Sequence, residues 1–329
     1  MKHWTEPNGI FIINIPIEWQ YKNIVVQNGK EESPYSFEAY EEPIGCFQLS
    51  CYPLSEKRIN PNLPLQKNNS PVEWTESQLN DKEFNINLFG AQVDDQLCIA
   101  KYIYSKKDEL SPKILIQLNK VQTSLKTFRV IPLSDRRLAA SLNKYDNFLG
   151  SLAASYDLLY KSIESESFIS IIVISSNQID AFLRLSIILH RQISENTDDI
   201  ETKYLFQNEN EKGIIERKIY REAHDLGIIK DELNKELNDL YDLRNRVIHR
   251  YIISYLRTRD VVQIAHDYLV LHEKIRLILK DLETKQSGIG VGIYGRGLKN
   301  MTEIDEDDRR RAYSWANDKH LFDKLKRNL

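Results

Sequence analysis

The sequence predicts an α+β chain: an N-terminal antiparallel β-rich domain followed by an all-α helical bundle. Three features carry this. Over the first 132 residues short β-branched and aromatic runs alternate with Pro, Gly and Asn, the pattern of strands joined by turns. From residue 134 the apolar spacing switches to three and four, the period of an amphipathic helix. At 41% hydrophobic and 28% charged residues, the composition matches globular chains that bury a core.

In order, Ile10–Ile15 is a strand that ends at Pro16. Phe37–Tyr40 and Cys46–Tyr52 follow, separated by Pro43 and Gly45. Further strands are expected at Phe84–Phe89, Gln96–Tyr104 and Lys113–Leu118, with an Asn- and Pro-rich loop over Ile59–Pro71. Val121–Arg129 is expected to form a short closing helix. The order of Asn14–Trp19 early and Val121–Phe128 late resembles PsbP-type domains, a resemblance that brings no chemistry.

Ser134 or Asp135 can cap the first long helix. Its apolar stripe includes Leu138, Tyr145, Leu152, Leu159 and Ile163. A second helix carries Phe168, Ile172, Ile179, Phe182, Leu189 and Ile193. A polar loop follows, then a third helix over 209–226 that stops at Gly227. A fourth runs from Lys230 to Leu256, and Thr258 begins a fifth through Leu282. Long amphipathic helices joined by short turns predict an antiparallel bundle over 134–283. Residues 284–329 read as a glycine-rich connector and a short C-terminal helix bearing Tyr313, Trp315, Leu321, Phe322 and Leu325. Gly290, Gly292 and Gly295 make a formal GxGxxG, but a dinucleotide fingerprint needs a preceding strand and a βαβ unit. Here it follows a helix.

Net charge is −3, so a nucleic-acid role requires a local basic patch. Met1–Pro7 has no apolar stretch of the signal-peptide kind, and the apolar run Phe168–Ile174 is too short to span a bilayer. A cytoplasmic protein without membrane contact is expected. Cys46, Cys51 and Cys98 are an odd set without CxxC spacing, expected as reduced thiols. His3, His190, His224, His266, His272 and His320 lack metal-ligand spacing, so neither a metal nor another cofactor is expected.

The chemistry concentrates in Leu243-Arg244-Asn245-Arg246-Val247-Ile248-His249-Arg250-Tyr251. Arginine binds phosphate through a fork of donors, and histidine moves a proton at neutral pH. Arg246, Arg250 and Arg257, with Arg259 close by, form a basic stripe suited to an RNA backbone. On an ideal helix His249 lies about 140° around from Arg244. One straight helix therefore does not hold both over one phosphate. Either the helix is locally distorted, or a second copy supplies the complementary group.

The Arg-x4-His-x-Tyr pattern of Arg244, His249 and Tyr251 resembles the signature of HEPN domains, many of them ribonucleases of defence and toxin–antitoxin systems. The resemblance covers residues 134–283. It implies metal-independent RNA cleavage by 2′-hydroxyl attack, with Arg244, His249 and Asn245 as the catalytic set in a cleft shared by a homodimer. It also implies an acidic residue facing the motif from an earlier helix, here Asp180, and an antitoxin or activator chain as a further partner. Tyr251 matches a tyrosine that, in the toxins of MNT–HEPN pairs, a partner nucleotidyltransferase modifies with AMP. The alternative is a non-catalytic HEPN module for nucleotide binding or dimerisation in a larger complex.

Overall fold

The computed structural model describes residues 1–22, 32–41, 43–55, 63–68, 71–207 and 211–295. Packing divides the chain into two compact units, the first over residues 1–143 and the second beginning at Lys144. The division falls inside a helix rather than at Pro132. Arg136, in that helix's first turn, donates from Nε to the Ile131 carbonyl (3.0 Å) and from Nη2 to Asp95 (2.6 Å), which ties the helix start to the sheet unit.

In the first unit β1 (Lys2–Thr5), β2 (Phe11–Ile15), β3 (Trp19–Tyr21), β4 (Tyr35–Ala39) and β5 (Cys46–Pro53) are followed by β6 (Leu65–Gln66), β7 (Thr75–Asn80), β8 (Phe84–Val93) and β9 (Gln96–Ser105). Helix α1 (Pro112–Leu125) and β10 (Arg129–Val130) complete it. One sheet has the order β1-β2-β10, the other β3-β4-β5-β9-β8-β6 with β7 also on β8. Every pairing is antiparallel except β6 with β8. Alternate residues of the strands, among them Phe11, Ile13, Ile15, Phe47 and Leu49, are buried, as the pleat requires. Trp4 meets Phe37 edge-on at 5.0 Å within this aromatic core. All three cysteines are free, and Cys51 faces Cys98 across the β5–β9 ladder, Sγ to Sγ 3.3 Å.

The strand expected at Lys113–Leu118 is instead the first half of α1. Pro112 sits at the first helical position, where its missing N–H costs nothing. Ile114, Val121 and Leu125 are buried while Ile116 is exposed, a helical stripe rather than an alternating one. The expected closing helix is the second half of α1, and Arg129 has already passed into β10.

The second unit contains most of α2 (Arg136–Glu164), then α3 (Phe168–Glu195), α4 (Glu216–Asp225), α5 (Asp231–Arg250), α6 (Thr258–Ile289) and the single turn α7 (Gly292–Gly295). Helix α3 is central and packs on α4, α5, α6 and α7. By length and composition it could cross a membrane, longer than the Phe168–Ile174 run suggested, but 67% of its apolar window is buried inside the protein. Ile172, Ile179, Leu183, Leu271 and Ile275 have no or almost no exposed surface. The third helix is shorter than expected, starting at Glu216, and Gly227 follows it at φ +72°. Fully burying such Leu and Ile side chains stabilises by roughly 1.5–3 kcal/mol each.

The glycine-rich stretch is no free connector as far as Gly295. Helix α6 continues to Ile289 and stops at Gly290, whose φ of +70° suits a helix end. The next turn is clasped to the bundle. Gln286 Nε2 donates to Gln192 Oε1 (2.7 Å), and the backbone N–H of Gly292 donates to Asp198 Oδ1 (2.8 Å). The Tyr294 backbone N–H reaches Gln286 Oε1 (3.1 Å), and its hydroxyl reaches Glu283 Oε1 (2.9 Å). The C-terminal helix expected beyond residue 305 lies outside the described residues.

Candidate functional site

Helix α5 is continuous from Asp231 to Arg250, so the motif is helical through His249 without a break. Two acidic residues, Asp231 and Glu232, precede its first apolar contact with the core, Leu233. Val247, two residues before His249, is 1% exposed and anchors the helix against the bundle. The helix does not reach Leu256 as expected. Beyond Arg250 the chain turns, with the Ile253 N–H on the Arg250 carbonyl at 3.2 Å. Tyr255 therefore shares no helix face with Arg244, and Arg257 is no part of an α5 stripe. Arg257 caps the start of α6 and Arg259 lies in its first turn.

Arg244 turns inward. Its Nη1 lies 2.7 and 2.8 Å from the two carboxylate oxygens of Glu216 on α4 and 3.2 Å from Ser176 Oγ on α3. Its Nη2 lies 3.3 Å from Asn245 Oδ1, and its guanidinium stacks over the Tyr241 ring at 4.7 Å. Arg217 also lies over the Tyr241 ring, at 4.6 Å. The Arg244 side chain is 12% exposed and Glu216's 16%, so the pair is largely removed from water. Burial works to lower the guanidinium's pKa, and the Glu216 carboxylate outweighs it, holding Arg244 above its ordinary value. Tyr220 donates its hydroxyl to Glu216 Oε1 at 2.6 Å, which together with burial pushes the phenol well up. One donor is left over: Arg244 Nε is buried without a partner among the described residues.

Asp180, expected to orient Arg244 or His249, pairs with Arg184 one turn along α3 at 2.6 Å. Arg184 in turn donates to the Ile214 carbonyl at 2.8 Å, fixing the segment before α4. Burial raises the Asp180 carboxyl; Arg184 and Arg244 lower it and Glu216 raises it further, for a net upward shift. The carboxylate that Arg244 touches is thus Glu216. Glu216 gave no signal in the sequence, where it fell inside the helix expected over 209–226; in the structure it opens α4, where the helix dipole favours an acidic residue. Tyr241, by contrast, stands three residues before Arg244, the spacing at which helix side chains meet.

His249, Arg246, Arg250, Arg257 and Arg259 are all exposed. His249 has no hydrogen-bond partner among the described residues; Asp260 lies 3.8 Å from the Arg259 guanidinium and accepts from the Arg257 backbone N–H at 2.8 Å. Asn245 is half-buried against Arg244. Tyr251 is half-buried on the bundle, its hydroxyl 3.4 Å from Thr258 Oγ1. Among the described residues no three His, Cys, Asp or Glu side chains converge as a metal set would.

The structure therefore brings Arg244, Asn245, Glu216, Ser176 and Tyr241 together and leaves His249 outside that cluster. What this arrangement can do is hold one guanidinium rigidly while offering, little more than one turn further on, an exposed imidazole between Arg246 and Arg250 in sequence.

No family model and no curated protein matches the chain. Among solved structures, it is similar to a protein of Bacteroides thetaiotaomicron VPI-5482, 11% identical over 75% of this chain and 79% of that one, with a TM-score of 0.26. That value is too low to assign a shared fold.

Proposed function

We propose that the helical unit is a metal-independent endoribonuclease of the HEPN type that acts as a homodimer on RNA. One observation supports this most: an exposed His249 at the end of α5, without a hydrogen-bond partner among the described residues, with exposed Arg246 and Arg250 next to it in the same helix and exposed Arg257 and Arg259 at the start of α6. The ribose 2′-oxygen attacks the adjacent phosphorus, the P–O5′ bond breaks, and the products carry a 2′,3′-cyclic phosphate and a 5′-hydroxyl. His249 exchanges the proton at the attacking or leaving oxygen, a contribution of about 10²–10⁴-fold. Its counterpart from the second copy serves the other oxygen. Arg244 is held in orientation by Glu216, and its Nη2, only loosely met by Asn245, is the edge that faces developing phosphoryl charge. The exposed arginines neutralise backbone phosphates. A cytoplasmic toxin or defence effector, checked by an antitoxin or activator chain, is the setting that fits such an activity.

A second reading is favoured by the Glu216 contact itself. A guanidinium already paired with a carboxylate and largely buried is what a structural ion pair looks like, and this suits a non-catalytic module for nucleotide binding or dimerisation. The two readings part on one assay. The ribonuclease cuts an all-ribose strand, spares the same strand with a single 2′-deoxy sugar at the cleavage position, and leaves cyclic phosphate ends. Cleavage of both strands, or of neither, contradicts the ribonuclease.

A further inference from the structure

The link between α5 and α6 carries exposure that the bundle does not explain. Ile252 is 94% exposed, Ile253 82% and Tyr255 101%. Singly exposed apolar side chains are ordinary, but a cluster rimmed by charge marks an interaction surface. The link is not loose at its ends. Tyr251 and Leu256 pack on the bundle core, and the link's first turn closes on the Arg250 carbonyl. Between these anchors the chain presents Tyr255 outward.

The exposed charges at the two ends of this link are cationic. Arg250 immediately precedes the link and Arg257 closes it, both side chains exposed; the Asp260 carboxylate alongside is engaged by the Arg257 backbone N–H at 2.8 Å. An aromatic face with arginines on either side is the arrangement by which proteins hold an unpaired base while neutralising its phosphates. A protein partner would have to supply carboxylates to the same corner. A strand of nucleic acid brings one negative charge per nucleotide and a π-face with each base. In a duplex those faces are stacked inside and out of reach.

We propose that Tyr255, flanked by Ile252 and Ile253, is a stacking platform for an unpaired base, so that the nucleic acid bound beside His249 is single-stranded. This deepens the ribonuclease reading and rests on it for the identity of the strand as RNA.

The test uses the full chain carrying His249→Ala, so that binding is read without cleavage. A labelled single-stranded RNA of about 12 nucleotides, within the range one binding surface covers, is titrated beside its duplex. Tyr255→Ala is expected to weaken single-strand binding about tenfold, the size of one lost base stack, while Tyr255→Phe retains it and duplex binding does not change. Because Tyr255 is fully exposed, its removal leaves the fold intact, as an unchanged melting temperature will verify. Equal single-strand affinity in the Tyr255→Ala protein overturns the proposal, as does the absence of binding to both RNAs. A change from dimer to monomer on sedimentation with RNA affinity unaltered also overturns it and makes the corner a protein interface. The two readings fail separately. Tyr255-dependent binding by a chain that never cleaves when His249 is intact keeps the platform and sinks the nuclease. His249-dependent cleavage with Tyr255-independent binding does the reverse.

Discussion

Arg244 and His249 stand five residues apart on one helix and live in opposite conditions. Arg244 is buried, stacked on Tyr241 and fastened to Glu216 and Ser176. His249 is exposed and unengaged among the described residues. The difference teaches which kind of evidence each can give. Removing a buried, paired charge disturbs fold and chemistry together, whereas removing an exposed, unpaired one disturbs only what it touches in a complex.

The largest effect expected is therefore on the inner residue. Arg244→Ala strands the Glu216 carboxylate in the bundle and should cost about 3–5 kcal/mol, read as a drop in the denaturant midpoint. Glu216→Ala should cost a similar amount, and the double variant less than the sum, because the two lose one shared interaction. Additive costs would show that the pair is not energetically coupled. A fastening made through the backbone supplies the comparison. At Gly292, φ is +76° and an added Cβ would lie 2.7 Å from Gln192 Oε1. Gly292→Ala should thus lose about 1–3 kcal/mol through strain and a broken clasp. A loss as large as that of Arg244→Ala would show that charge burial is nothing special here.

Asp146 sharpens the comparison from another side, as a half-buried carboxylate with no cation partner among the described residues. Burial pushes its pKa up to about 6 from 3.8. Its folded-state value lies above its unfolded one, so its stabilising contribution is complete below about pH 4 and is lost as pH rises through 6. Asp146→Asn should then raise stability by about 2 kcal/mol at pH 8 and by nothing measurable at pH 4. A pH-independent difference between the two proteins would contradict this origin. At the small end, His249→Ala should shift stability by less than about 0.5 kcal/mol, as surface substitutions do.

Much of this architecture was legible. The long helices announced themselves through spacing, because burying one face of each demands it. Helix α1 was misread, since Ile114, Ile116 and Leu118 alternate over five residues and only Val121 and Leu125 reveal the longer period. The end of α5 was misplaced for a related reason: Ile252, Ile253 and Tyr255 continue an apolar pattern while pointing to solvent. The motif was visible as residue types. Its fastening was not, because Glu216 lies 28 residues from Arg244 and nothing local couples them. The clasp of the Gly292 N–H to Asp198 and of the Ile293 N–H to Gln192 was hidden too, since bonds from backbone to side chain leave no periodicity to read.

The most direct measurement is RNA cleavage in EDTA by the intact chain and by His249→Ala, whose fold is checked by its melting temperature. The account predicts that the unaltered protein produces fragments with 2′,3′-cyclic phosphate ends and that the equally stable variant produces none. RNA left whole by both proteins, or cut equally by both, would contradict it.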